Sequence, residues 1–264
     1  MSQQKSNKSI QEILEEYRVN IENELKKRWN SWDIDISQKQ IYEVIGGLVT
    51  RQVIIMKHFS LSPNMWNPDL GPIILRTLID NFFTLAWICD DPLDRSQKYI
   101  YHGLGADKLN MANRAKQMKE EGNDPDKDPL IKMSNAWAES QRYRFLTEVN
   151  FGSWSGLSTR QMAEQSGNIG LYNYSFQPFS SVAHNMWNHI GQLCMRQSSN
   201  PLHQLLHIPD AKKYPPMPFV LDIGANYLDR SFQRIDKLFP TGEAIVSSYE
   251  TLLEEFEKLT DEEE

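Results

Sequence analysis

Between Pro72 and Cys89 an apolar stretch is interrupted by Arg76, Thr77, Asp80, Asn81 and Thr84. Their spacings of 1, 3, 1 and 3 place all five on one stripe of a 3.6-residue helix. Arg76 and Asp80 are four apart with the base first, the weaker order for a surface pair. Buried, such a pair costs about 3–5 kcal/mol when one partner is removed. A second stretch, opening at Pro178, repeats the design. Phe179, Val182, Met186, Ile190 and Leu193 make an apolar face, and Ser181, His184, Asn185, Asn188 and Gln192 make a polar stripe on one helix reaching about Arg196. Two such helices facing each other would enclose Arg76, Asp80, His184 and Asn188: a fixed cation, a carboxylate, a titratable imidazole and an amide. That set suits anion binding or acid–base work. The competing reading is that both stripes face water or satisfy one another. Against it, surface stripes are normally built from Lys and Glu rather than Arg, Asp, His, Asn and Ser.

Other chemistries find little support. There is no His-Glu-x-x-His and no Glu-x-x-His. His184 and His189 are five apart and would point to different faces of a continuous helix. His203 and His207 are four apart, but in a proline-bounded segment without a nearby acid. Phosphate-cradling glycine loops and the Gly-x-Ser-x-Gly elbow are missing. Neither Cys89 nor Cys194 has a basic sequence neighbour that would favour a thiolate. No metal and no cofactor is expected.

Four pieces occur in order: Arg76-Thr-Leu-Ile-Asp80, Tyr99-Ile-Tyr-His102, Trp154-Ser-Gly-Leu-Ser-Thr-Arg160 and Ser180-Ser-Val-Ala-His184. Together they resemble a bacterial family catalogued only as a domain of unknown function. Its members share an Arg-x-x-x-acid helix, a W-x-G-x-S-x-R loop segment and a Ser-x-x-x-His helix. The resemblance covers roughly Ile41 to Arg196 and implies an all-helical fold without an assigned activity. The acid here is Asp80 where Glu is the more frequent residue, which shortens its reach. A looser resemblance is to HEPN proteins, helical bundles of bacterial defence and toxin systems, through Arg51-(x6)-His58 and Arg95-(x6)-His102. That resemblance implies metal-independent RNA cleavage, with an imidazole acting on the 2′-hydroxyl and an arginine steadying the phosphate.

The elements that must position these groups are helical. Ser9–Trp29 is amphipathic. Ser37 is expected to cap a second helix through Ile41 to Phe59, with Gly46-Gly47 either weakening it or admitting a close neighbour. A third helix covers Pro72 to about Cys89, a fourth runs from Pro92 to about Glu120, and a fifth from Leu130 to about Asn150. Phe151–Gly170 reads as a loop with a short helix at Ser158–Gln165, and Asn200–Pro218 as irregular, with five prolines. Helices follow at Phe219–Leu238 and Gly242–Leu259. No alternating strand pattern stands out. The fold class is therefore all-α, a single bundle of about eight helices with two long loops, over residues 1–248.

The chain has 264 residues and a net charge of −7, and the last sixteen residues, Tyr249–Glu264, carry that whole excess. The body is neutral, which argues against a broadly basic nucleic-acid surface. Local basic groups at Arg114, Lys116 and Lys119, and at Arg142 and Arg144, could compensate. Two cysteines and a polar start favour a reducing, cytoplasmic setting, and no apolar run suggests a membrane span. The expected site has His184 as proton carrier, oriented by Asp80 or Asn188, and Arg76 and Arg160 holding an anion or phosphate, with Tyr99, His102 and Trp154 contributed by the neighbouring helix and loop. The HEPN resemblance, together with an anion-binding site, implies an RNA or nucleotide partner in a bacterial defence or stress setting. The alternative is a non-catalytic helical module for a protein partner, and a homo-oligomer is compatible with either.

Overall fold

A computed structural model describes residues 8–140 and 154–260. The first helix, α1 (Ile10–Ser31), begins at a reciprocal cap. The Ser9 hydroxyl accepts the Glu12 N–H at 3.3 Å, and the Glu12 carboxylate accepts the Ser9 N–H at 2.7 Å. Before α2 (Lys39–Ser60), Ser37 does not act as the cap. It lies in a 3-10 turn, Ile36–Gln38, where the Asp35 carboxylate accepts its N–H at 2.8 Å. Then come α3 (Gly71–Ile88), α4 (Pro92–Glu120), α5 (Pro129–Ser140) and α6 (Thr159–Gln165). The turn α7 (Ile169–Leu171) continues through a π-helical segment, Tyr172–Phe176, into α8 (Gln177–Ala183). After α9 (Trp187–Leu193), β1 (Met195–Gln197) and β2 (His207–Pro209) pair antiparallel, and α10 (Pro218–Leu238) and α11 (Ser248–Thr260) complete the chain. The protein is all-α apart from this small ribbon. The second half of the expected fifth helix, with Arg142 and Arg144, lies outside the described residues. No helix among those described is long and apolar enough to cross a membrane.

The core is built around α3. Leu78, Ile79, Phe83, Leu85, Ala86 and Ile88 are fully buried, as an all-round apolar helix requires. It packs against α2, α6, α8 and α10. A polar relay crosses the centre. The Gln52 side chain of α2 donates to the Asn81 side-chain oxygen at 3.0 Å, and the Asn81 amide of α3 donates to the Leu48 backbone carbonyl at 3.1 Å. Ser231 of α10 contacts the Gln52 side-chain oxygen at 3.0 Å. Each of these groups is buried and partnered, as interior polar groups must be. Asn81 thus leaves the stripe read from the sequence and faces α2.

Other contacts knit the outer helices in. At Gly46, an added Cβ would lie 2.7 Å from the Trp29 ring, so glycine lets α1 approach α2; at Gly47 there is open space. Arg28 of α1 is buried between Glu24, at 2.7 Å, and Asp236 of α10, at 2.8 Å, and stacks on Phe232. Glu24 also accepts the Ser248 N–H at 2.6 Å where α11 begins. That helix starts six residues after Gly242, the expected start, and its Leu252 is buried.

The largest departure is at Pro178–Arg196, where the expected single helix is two. Asn185 has φ 53°, in the left-handed region. The Met186 N–H returns to the Ser181 carbonyl at 2.9 Å, and the Asn185 N–H to Val182 at 3.2 Å. This is the 6→1 and 5→2 pattern that terminates helices, with Asn in the place usually taken by Gly. Gly122 and Gly167 close α4 and α6 in the same way, each at positive φ. The stripe Ser181, His184, Asn185, Asn188 and Gln192 is therefore split between two helices of different direction.

Candidate functional site

The Arg76 side chain sits at the α3–α8 seam. Its Nε donates to the Ser180 hydroxyl at 2.8 Å, and its guanidinium lies over the Phe176 ring, 3.4 Å from the centroid. Nη1 is ion-paired with Asp80 one turn along α3, without hydrogen-bond direction. The π-helical turn delivers this arrangement. It stacks Tyr172 on Phe176 at 4.6 Å, sets both against Phe83, and leaves Phe176 and Ser180 on one face toward α3. Arg76 is 17% exposed and Asp80 43%, so the seam opens to solvent at the carboxylate. Burial pushes the Asp80 carboxyl above its ordinary range, with Arg76 pulling against it. His184 is exposed at the end of α8, four residues after Ser180 and so on the same side of that helix. Asn188 is exposed on α9, beyond the break, and does not share a helix face with His184.

A second group gathers Tyr99 and Trp154. Their rings meet edge-on at 4.9 Å, and Trp154 meets Trp87 at 5.5 Å. The Trp87 indole donates to Gln165 at 2.8 Å. Burial pushes the Tyr99 phenol upward, and nearby Arg51 opposes that. Arg95 stacks on Trp87 at 4.0 Å and donates to the Trp87 carbonyl, closing the end of α3. The cation of the Arg95–His102 pair is thus engaged by structure, and His102 is half-buried on α4. Arg160 is exposed in the first turn of α6, which Ser158 and Gln161 cap reciprocally. Among the basic groups, Arg114 binds Asp128 at 2.7 Å and Lys116 lies 4.0 Å from Glu120.

A third group was not legible in the sequence. Asp69, just before α3, contacts the His189 Nε2 at 2.9 Å across 120 residues. One donor atom each of Asp69, His189 and Cys194 lies within 4.8 Å of the other two, the only group of this kind among the described residues. The break at Asn185 separates α9 from α8, and His189 in the first turn of α9 meets Asp69, two residues before α3. Tyr214 is adjacent and donates to the Leu193 carbonyl at 3.2 Å. Burial pushes its phenol upward, and Cys194, Asp69 and Asp210 act in the same direction. Cys89, by contrast, is buried, and burial pushes its thiol up to about 12, which disfavours the thiolate.

Comparison with known proteins adds one finding. No curated protein and no solved structure matches the chain. Residues 42–201, a span that contains all three groups, match the family model described as Family of unknown function (DUF5677), and the chain belongs to that family.

Proposed function

We propose that the α3–α8 seam binds the phosphate of an RNA or nucleotide, and that His184 moves a proton there. The observation that carries this reading is the posture of Arg76. Ser180 and Phe176 fix its guanidinium independently of Asp80. Asp80 is a half-exposed counter-ion whose charged form is disfavoured by burial. An incoming phosphate can displace it and find a preset cation, which binds phosphate oxygens well through its planar fork. His184 lies on the side of α8 that carries Ser180, where an imidazole can serve as general acid or base.

The reading has a distinctive test. In calorimetric titration with a mononucleotide, Asp80→Asn should bind several-fold more tightly than wild type, because the resident competitor is gone. Arg76→Ala should abolish binding. RNA cleavage and growth toxicity should be lost in His184→Ala while nucleotide binding persists. No binding by either wild type or Asp80→Asn would overturn the proposal. A second reading, docking of a protein partner, is favoured by the ribbon tip, where Leu202 and Leu205 are 88% and 95% exposed. A growth effect that survives His184→Ala but not Leu202→Asp with Leu205→Asp would favour docking.

A further inference from the structure

The groups around α9 have a chemistry that the phosphate reading does not use. We propose that Asp69, His189 and Cys194 bind one divalent transition-metal ion of the zinc class, which ties the β1–β2 ribbon to the start of α3. The donor set is one carboxylate oxygen, one imidazole nitrogen and one thiolate sulfur. Zinc accepts all three, whereas magnesium and calcium require oxygen alone. Zinc bonds of roughly 2.0–2.3 Å set ligand-to-ligand edges of about 3.3–3.8 Å in a tetrahedron. The His189–Asp69 pair, a hydrogen bond at 2.9 Å, opens by about 0.4 Å to become such an edge, and all three donor atoms lie within 4.8 Å of one another. A shift of about 1 Å completes the set, within what side-chain rotation supplies.

The surroundings hold these ligands in place. The Asn67 side chain accepts the N–H groups of Asp69 and Leu70 at 2.9 and 2.8 Å, fixing the turn that presents Asp69. The backbone of Cys194 is closed by the Asp210 N–H, which reaches its carbonyl at 2.9 Å, and Tyr214 binds the Leu193 carbonyl. The imidazole of His189 is buried, while Asp69 is 52% exposed on its side chain, leaving a solvent-facing side for ion entry and a water ligand. A structural Asp–His hydrogen bond alone would not need Cys194, which makes that residue the discriminating one.

The test uses the full chain, stripped of metal and titrated with zinc alone and with cobalt(II) alone. One equivalent of zinc should bind. Cobalt should give the intense visible bands of tetrahedral coordination and a thiolate-to-metal charge-transfer band. Cys194→Ser should remove that band and weaken zinc binding by about 100-fold or more, since even outer-shell partners are worth 10–100-fold. His189→Ala should weaken it comparably, while Cys89→Ser and the pair His203→Ala/His207→Ala leave it unchanged. Circular dichroism checks that each variant stays helical; should His189→Ala unfold, the conservative Cys194→Ser decides. Absence of stoichiometric binding, wild-type affinity in Cys194→Ser, or loss of binding in His203→Ala/His207→Ala overturns the proposal.

Discussion

Asn185 and the glycine pair in α2 are single residues whose backbone or Cβ decides local geometry. At φ 53°, Asn185 occupies a conformation that a β-branched side chain resists. Asn185→Val should destabilise the fold by about 1–2 kcal/mol, whereas Asn185→Gly should stay close to wild type. Denaturant titration of the two variants checks this, and equal stabilities would contradict it. Gly46 and Gly47 are neighbours with opposite expectations. Gly46→Ala forces a methyl toward the Trp29 ring, 2.7 Å away, and should cost about 1–3 kcal/mol. Gly47→Ala meets nothing and should gain about 1 kcal/mol from helix propensity. A loss at both positions would mean that the α1–α2 contact is not what singles out Gly46.

At the scale of elements, the α4–α5 connection depends on Asp128. Its carboxylate accepts the Leu130 and Ile131 N–H groups at 2.9 and 3.0 Å, and Arg114 at 2.7 Å. Hydrogen bonding from Arg114, with help from the Ile131 N–H, holds its carboxyl at about 2, below the ordinary 3.8. A depressed carboxyl stabilises the fold above its ordinary value, and that stabilisation is lost as pH falls from about 4 toward 2. Protection of the Leu130 and Ile131 amides, measured relative to their intrinsic exchange rates at each pH, should therefore fall over that window in wild type. In Asp128→Asn the window should vanish; if it persists, another group sets it. Elements are also where the sequence was most and least legible. The amphipathic face of α1, the Asp91-Pro92 break and the apolar wheel of α3 announce their helices through local chemistry. The α8–α9 break was hidden because Asn185 fits a polar stripe as readily as a helix terminus. The Asp69–His189 contact was hidden because it joins residues 120 apart, and no local pattern encodes that. Arg76 and Ser180 were legible as motif residues, but Phe176 was not, since only the π-helical turn brings its ring beneath the guanidinium.

For the whole molecule, the buried Glu24–Arg28–Asp236 cluster joins α1 to α10 and, through Ser248, to α11. Arg28→Met would leave Glu24 buried without its cation, and a loss of about 3–5 kcal/mol is expected. Adding Glu24→Leu to Arg28→Met should recover part of that loss, as removing both members of a buried pair usually does. Thermal unfolding of the single and double variants measures the difference. A double variant no more stable than Arg28→Met would show that the Ser248 contact, rather than the ion pair, dominates.

The relay of Gln52, Asn81 and Ser231 works as a key. Greasy helices in contact can slide by a turn and find another fit almost as good; amides and hydroxyls that must meet at one height cannot. Replacing all three with Leu, Leu and Ala should leave a helical protein that resists denaturant at least as well, yet exchanges among several packings. Broadened side-chain resonances beside an unchanged helical spectrum would mark that trade of singularity for strength.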